Sequence, residues 1–400
     1  RAIPELPMDP PIHGSDKLVA VQRVSRWLPQ TATWLYTQVT FLPPSVESHV
    51  VCEATLNLDQ FPYPRVHSLS AQPRWRAVWD KGLRKLGARR HLGFTVDVAR
   101  RAGATVLHSH FGDTGWADVG AARAAGLGHV VTFYGLDVIY FPAADPRWRH
   151  RYGELFAAVD RVLCEGPHMA RCIVDLGCPE DKVRVHHLGV DLGKIPFAPR
   201  AWTPGQPLRV LLCGSFREKK GFPYALEALA RIKDEVPLEI TLIGDEHGDE
   251  RTRAEKRRIM ETIARGGLKE RTRLLGYQPY ETVMAEASRH HVFASPSVTA
   301  ADGDTEGGAP VTLIEMSASG MVLLSTTHCD IPGVVIDGVT GLLAPERDID
   351  ALVGHLRWIV AHPERWRGLQ VAGRKHMEAE FDARVQGERL SAVYREITAP

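Results

Sequence analysis

The chain has 400 residues, 44% of them hydrophobic and 24% charged, with a formal net charge of +1. That length exceeds what one ordinary core accommodates and points to two domains. The near-balanced charge excludes a global field drawing the chain to nucleic acid, and no run reaches the roughly 18 apolar residues of a membrane span. Cys52, Cys164, Cys172, Cys178, Cys213 and Cys329 show no paired metal-ligand spacing. They read as reduced thiols, which suits a cytoplasmic protein. No signal peptide opens the chain, whose first residue is Arg1 rather than Met.

Strands are predicted in the first half near Val19–Val24, His49–Glu53, Thr105–Ser109, Val130–Phe133, Arg161–Cys164 and Val183–His187. In the second half they are predicted near Arg209–Cys213, Glu239–Ile243, Arg273–Leu275, Val292–Ala294 and Val322–Ser325. Amphipathic segments such as Tyr224–Asp234 and Asp348–Ala361 fall between them. Alternation of this kind builds parallel sheets covered by helices. It occurs twice, separated by the proline-rich stretch "LGKIPFAPRAWTPGQP", Leu192–Pro207. The expected fold class is therefore α/β, with two Rossmann-like domains at 1–190 and 205–380 joined by a linker able to hinge.

In open parallel sheets the ligand site lies beyond the carboxyl ends of the strands, so the residues after each strand carry the information. After Arg209–Cys213 comes "GSFREKKGF". Gly214 permits a tight turn, Arg217, Lys219 and Lys220 supply charge, and a helix begins near Gly221. This is either a solvated basic loop or an anion site at a helix amino end, suited to a diphosphate. No G-x-G-x-x-G follows any strand, which disfavours a nicotinamide or flavin dinucleotide. After the strand-like "HVFASPS" comes "GDTEGGAPVTLIEMSASG", in which Glu306 and Glu315 flank a Gly307-Gly308 turn. Carboxylates there accept hydrogen bonds from sugar or ribose hydroxyls, or serve only as a cap and an exposed helical acid.

"CGSFREKKGF", "LIGDEHG", "LLGYQPYETV", "FASPSVTAADGDTEGGAPVTLIEMSASG" and, earlier, "HSHFGDTGW", "VTFYGLDV" and "LGVDL" carry a resemblance. In this order they resemble the retaining GT-B glycosyltransferases marked by Glu-x7-Glu, the family 4 type, and most of all the colanic-acid and exopolysaccharide enzymes. The resemblance implies two Rossmann-like domains facing across a cleft, with a last segment, 381–400, crossing back to the first domain as a helix. It implies transfer of a sugar from a nucleotide-diphosphate donor, held by the second domain, to a hydroxyl acceptor held by the first. Glu306 would touch the donor sugar, Gly307 and Gly308 would form the turn, and Glu315 would hold the ribose. Lys220 and Arg217 would meet the diphosphate, with Gly214, Ser215 and Tyr277 also on the donor side. From the residues themselves, His110, Tyr134 and Asp137 are candidates for the substrate and acceptor side: His110, at a strand end by the cleft, is a catalytic substrate contact or a satisfied structural histidine, and Asp137 touches acceptor or holds a loop. Two departures stand out. Eight residues separate Glu306 from Glu315, and Ser215 occupies the usual arginine slot, leaving Arg217 to act from two residues on.

Other stretches admit rival readings. His108 and His110 share a strand face, but no third ligand is placed by spacing, so neither a metal nor another cofactor is expected. Asp302-Gly303-Asp304 suits Mg²⁺ in the other large glycosyltransferase fold, which has one continuous domain rather than two. "RWRAVWDKGLRKLGARR", residues 74–90, is a basic helix with Trp75, Trp79, Leu83 and Leu86 at helical spacing. The plainer reading packs that stripe on the first sheet. The other lays it on an anionic membrane, consistent with a lipid-linked acceptor at the inner face; carbohydrate and small-molecule acceptors remain open. A nucleotide-sugar epimerase and a non-catalytic nucleotide-sugar binder are the functional alternatives.

Overall fold

The structure, a computed structural model, describes residues 17–28 and 33–399. The opening residues of the expected first domain lie outside that range. The strands are β1 Leu18–Arg23, β2 Arg26–Trp27, β3 Val46–Cys52, β4 Ala54–Thr55, β5 Val66–Ser68, β6 Val106–His110, β7 Gly128–Thr132, β8 Arg161–Cys164 and β9 Val183–Val185 in the first half. The second half holds β10 Leu208–Cys213, β11 Leu238–Ile243, β12 Thr272–Leu274, β13 Val292–Ser295, β14 Val322–Thr326 and β15 Leu342–Ala344. The first sheet has the order β5-β3-β1-β6-β7-β8-β9 and the second the order β12-β11-β10-β13-β14-β15. Both are parallel throughout.

Each sheet reverses its strand order once, between β1 and β6 and between β10 and β13. A crevice opens at such a point because the connections leave on opposite faces. The alternation of side chains explains the double cover. Val210 and Leu212 of β10 face a layer that includes Leu226, Leu229, Leu352 and Leu356. Leu211, between them, faces Ile314, Met316 and Met377. The helix Phe222–Ile232 and the helix Ile349–Ala361, capped by the Asp348 carboxylate on Ala351 N at 2.9 Å, form one outer layer. The helix Val311–Ser319 belongs to the other.

Every predicted strand is present, with ends shifted by a few residues. The short edge strands β5 and β15 and the β2–β4 pair were not anticipated. The proline-rich stretch is fastened to the second half rather than free. The Arg200 guanidinium donates to the carbonyls of His290, Ser319 and Ala287 at 3.0–3.1 Å, and Trp202 stacks on Trp366. The chain crosses between halves at two places that lie together. Val190 N donates to Phe381 O at 2.8 Å, and Ala383 N donates to Val190 O at 3.0 Å. Beyond that crossing the helix Ala383–Thr398 lies against the first sheet, where Leu390 and Tyr394 are fully buried beside Val106 and Val130.

The basic segment overturns the plainer expectation. The helix Arg74–Lys85 does not pack its apolar stripe on the sheet: Trp75, Val78, Trp79 and Leu86 are 67%, 70%, 62% and 82% exposed. Its one acid, Asp80, is buried instead. The Asp80 carboxylate accepts from Gly93 N and Phe94 N at 2.9 and 3.0 Å, at the start of the helix Gly93–Ala102, and pairs with Arg76 and Arg89. A helix start presents unpaired amides, so a buried carboxylate fits there better than an apolar side chain.

Candidate active site

The carboxyl end of β10 leads through Gly214 and Ser215 into a short turn and then the helix Phe222–Ile232. Gly214 N continues the ladder to Ile243 O at 2.9 Å, and the Ser215 carbonyl accepts from Arg217 N at 2.8 Å. A Cβ on Gly214 would press on the Lys220 stem, whose Cε lies 3.3 Å from that position. Lys220 therefore runs over Gly214 toward the crevice.

There it meets Glu306. Lys220 Nζ stands 2.9 and 3.0 Å from the two carboxylate oxygens, and Ser297 Oγ donates to Oε1 at 2.7 Å. Burial alone would raise the Glu306 carboxyl. The charges of Lys220 and Lys219, with the Lys220 and Ser297 hydrogen bonds, outweigh it and hold the group below the usual carboxylate range. The Glu306 backbone is fixed as well: its N–H donates to His328 Nε2 at 3.1 Å, while His328 Nδ1 lies 2.6 Å from Glu346. Glu306 is thus an ionised, oriented acceptor.

A second charged row lies beside the first. Asp304 pairs with Lys219 at 3.1 Å and Arg217 at 3.4 Å, and Asp302 with Arg251 at 2.9 Å. The two acids of Asp302-Gly303-Asp304 are thus already neutralised by cations. Among the described residues, no group of three or more His, Cys, Asp or Glu is arranged to hold a metal ion. Arg217 is half-exposed and stands with Asp304 on the wall of a cavity of about 860 Å³ that also reaches Tyr140 of the first domain. Lys220 and Arg217 consequently belong to adjacent clusters rather than to one pair.

Glu315, within Val311–Ser319, has a hydrogen bond with Tyr280, and burial outweighs it and pushes its carboxyl up to about 7. Tyr277 lies further along the edge, its hydroxyl donating to Asp245 O at 2.7 Å. The structure brings Gly214, Lys220, Glu306, Gly307 and Gly308 together and leaves Tyr277 at the rim.

The first domain supplies the facing wall. Gly307 has φ +78°, and a Cβ there would lie 2.5 Å from Gly135 Cα. A Cβ on Gly308 would lie 2.0 Å from a Glu165 oxygen. The glycine turn is therefore one surface on which the two domains touch. Glu165, just past β8, has its carboxyl raised well above normal by burial and by Asp330 and Asp137 nearby. Asp330, just past β14, crosses the other way: its carboxylate accepts from His168 N at 2.7 Å and Met169 N at 3.2 Å, at the start of the first-domain helix Pro167–Asp175. Neither acid belongs to a motif in the sequence, although both follow strands, at the ends where ligand sites of parallel sheets lie.

At Asp137 and His110 the surroundings fit the structural alternative of the two readings. Asp137 is fully buried, and its two oxygens accept from Gly112 N at 2.8 Å and Tyr134 N at 3.0 Å. Burial raises its carboxyl to about 7 despite those amides. It holds the loop, the second of the two roles expected for it. His110 is also fully buried, and burial with nearby His186 brings its ring down to about 3, so it is neutral. Its Nδ1 lies 2.6 Å from the Tyr134 hydroxyl and its Nε2 3.0 Å from Gln22 Oε1. The Tyr134 ring packs on Trp34 and Phe111, with centroids 4.2 and 4.8 Å apart.

The buried partners continue inward. Gln22 Nε2 donates to the Tyr394 hydroxyl at 3.0 Å, which donates to His108 Nδ1 at 2.7 Å, and His108 Nε2 donates to Thr132 Oγ1 at 2.7 Å. With both rings protonated on Nε2, every donor in this chain has one acceptor. His108 is thus a satisfied interior residue.

Residues 198–376 match the family described as glycosyl transferases group 1, and residues 32–194 match Glycosyltransferase Family 4. The amylovoran biosynthesis glycosyltransferase AmsK of Erwinia amylovora is 31% identical over 72% of this chain and 70% of its own length. The chain belongs to the group 1/family 4 glycosyltransferases. The putative colanic acid biosynthesis glycosyltransferase WcaL of Escherichia coli is 32% identical over 65% of the chain and 62% of that relative's length. Among solved structures, sucrose-phosphate synthase from Thermosynechococcus elongatus superposes with TM-score 0.73 at 18% identity, over 96% of this chain and 99% of the other. Anabaena HepE in complex with UDP-glucose superposes with TM-score 0.71 at 14% identity, over 95% and 100%. This glycosyltransferase therefore has the GT-B fold, with its two sheets facing across the glycine turn.

Proposed function

We propose that this glycosyltransferase moves a sugar from a nucleoside-diphosphate donor to a hydroxyl acceptor with retention at the anomeric carbon, in exopolysaccharide or glycolipid synthesis on the cytoplasmic side. The observation that carries the reading is the buried Lys220–Glu306 pair at the crevice of the second sheet, pressed against the first domain. The amylovoran and colanic-acid relatives support the pathway class, and the UDP-glucose complex of HepE supports a nucleotide sugar.

In this mechanism Glu315 receives the ribose hydroxyls, while Lys220 and the first amides of Phe222–Ile232 meet the diphosphate. As the bond from sugar to phosphate breaks, negative charge grows on the leaving oxygen and positive charge on the sugar ring. Lys220 follows the first and Glu306 the second, so the pair separates its attention between two developing charges. Glu306 is held by Lys220 and Ser297, which suits an electrostatic role rather than covalent attack. The acceptor then enters on the face the diphosphate leaves, and a phosphate oxygen takes its proton. Arg217 lines the neighbouring cavity and reaches the donor from there. Metal is dispensable, because lysine, arginine and helix amides supply the positive charge.

The test begins with a thermal-shift screen of nucleotide sugars, in which a bound donor raises the melting temperature. Transfer to an acceptor is then followed by NMR of the product. The expected product keeps the anomeric configuration of the donor. An inverted product overturns retention. An altered donor sugar without any transfer would instead identify an epimerase, and donor binding with no turnover a simple binder.

A further inference from the structure

The helix Arg74–Lys85 is built inside out. Pro73 precedes it and Gly87 follows it, so its limits are local. Its polar anchor, Asp80, points inward to the start of Gly93–Ala102, and Arg76 pairs with Asp97 on the same side. Trp75, Val78 and Trp79 of the helix and Leu86 just after it point outward, while Leu83 is half-buried. At 3.6 residues per turn, Trp75, Val78, Trp79 and Leu86 fall on one narrow stripe. All four are more than half exposed, including two tryptophans.

The charges along the stripe are arranged as well. Arg74, Lys81 and Lys85 are seven and four residues apart, which places them in one row beside the stripe. All three are exposed, and among the described residues none forms an ion pair. The other cations of the segment are occupied: Arg84 by Glu53 at 2.7 Å and Arg90 by Glu154 at 2.6 Å. A tryptophan stripe flanked by a row of unpaired cations complements an apolar layer edged by negative headgroups. A second copy of the chain fits less well. It would bring the same cation row to the contact, and the helix carries no exposed acid to meet it.

The position of the helix has a consequence for the site. Its carboxyl end is fixed through Arg84 to Glu53, which also lies 3.5 Å from Arg23 at the end of β1. Arg23 is in register with Ser109 on β6, one residue from His110. The face of the helix opposite the stripe thus adjoins the carboxyl end of β1 in the first sheet.

We propose that the helix Arg74–Lys85 docks this enzyme peripherally on an anionic lipid surface, with Trp75, Val78, Trp79 and Leu86 in the interface and Arg74, Lys81 and Lys85 on the headgroups. The inference stands on exposure and charge, independently of the donor and of the stereochemistry proposed above.

The test is flotation of the whole chain with vesicles of phosphatidylglycerol and phosphatidylcholine, against phosphatidylcholine alone. Binding is expected only to the anionic vesicles. Exchanging all three cations (Arg74→Glu, Lys81→Glu, Lys85→Glu) or raising the salt to 1 M is expected to weaken it about a hundredfold. Trp75→Ser with Trp79→Ser is expected to lose it at least tenfold. Both tryptophans are exposed, so the double variant keeps the wild-type melting temperature and donor binding. Equal partition to neutral vesicles, no binding to anionic ones, or binding untouched by the tryptophan change overturns the proposal. So does a self-associated species in sedimentation equilibrium that the tryptophan change dissolves, which would assign the stripe to a second copy.

Discussion

Gly135 of the first domain and Gly307 of the second meet backbone to backbone: a Cβ added to Gly307 would lie 2.5 Å from Gly135 Cα, and one added to Gly135 would lie 2.6 Å from Gly307 Cα. No side chain fits between them, and neither backbone can yield cheaply. Both residues also have positive φ, +101° and +78°, which adds strain to any substitution. Gly307→Ala is therefore expected to hold the domains apart. Small-angle scattering should give a larger radius of gyration than the wild type, and turnover should fall by roughly tenfold or more, because a misplacement of about 1 Å has that cost. An unchanged scattering profile would refute the role of this contact in closure.

Lys220→Ala removes the cation from a buried carboxylate. Burial then dominates at Glu306, so its carboxyl should rise above the ordinary range instead of lying below it. Donor affinity should drop about tenfold to hundredfold, as expected for the loss of a charge-assisted hydrogen bond to the diphosphate. Calorimetry with the donor found in the screen measures this directly. Wild-type affinity in the variant would remove Lys220 from the diphosphate.

Glu315 is expected to link pH to both stability and binding. Its ordinary value is 4.5 and its folded value is about 7, raised by burial. Between these values the folded carboxyl keeps a proton that the unfolded one has released. Stability therefore falls as pH rises through that window and stays lower above it. Glu315→Gln abolishes the linkage, so the unliganded variant should melt about 2–4 °C higher than the wild type at pH 8 and nearly alike at pH 4.5. The same change should weaken the donor by raising KM more than it lowers kcat, because ribose contacts alter little along the reaction. Glu306→Gln should do the reverse and lower kcat, since its charge matters most in the transition state.

Chelation should leave activity intact. Asp302 and Asp304 are neutralised by Arg251, Lys219 and Arg217. Loss of turnover in EDTA, restored by Mg²⁺ or Mn²⁺, would show that the acids exchange those partners for a cation.

Tyr394→Phe should destabilise the chain by about 1–3 kcal/mol, since it strands His108 Nδ1 and the Gln22 amide in the interior. Denaturant unfolding measures the loss. A variant as stable as the wild type would mean that the interior chain of hydrogen bonds carries no net weight.

The strands were legible because buried parallel strands are apolar runs between turn signals, as in "LRVLLC" and "LEITLI". The edge strands Val66–Ser68 and Leu342–Ala344 are three residues long, too short for any period to register. At Trp75 and Trp79 the period marks the apolar face but leaves both directions open, because periodicity does not say what covers a face. The strand-end rule brings His110 to the crevice as a backbone position and does not say whether its side chain turns inward. Glu165 and Asp330 escaped notice because their meaning lies in a meeting across the domains, 165 residues apart in the chain. Ser297 and His328 escaped because they orient Glu306 without belonging to a motif of their own.

The helix Ala383–Thr398 completes the interior of a domain whose other strands all precede residue 186. During synthesis, then, the first sheet emerges with the place of Leu390 and Tyr394 empty, and waits while the whole second domain is made. At about 5–20 residues per second this interval is on the order of ten to forty seconds. For that time the surface formed by Ala20, Val46, Val106 and Val130 stands open on the ribosome. The second domain carries no such debt to residues still to come from the far end. It is thus expected to reach protease resistance on stalled ribosomes first, although it is encoded second.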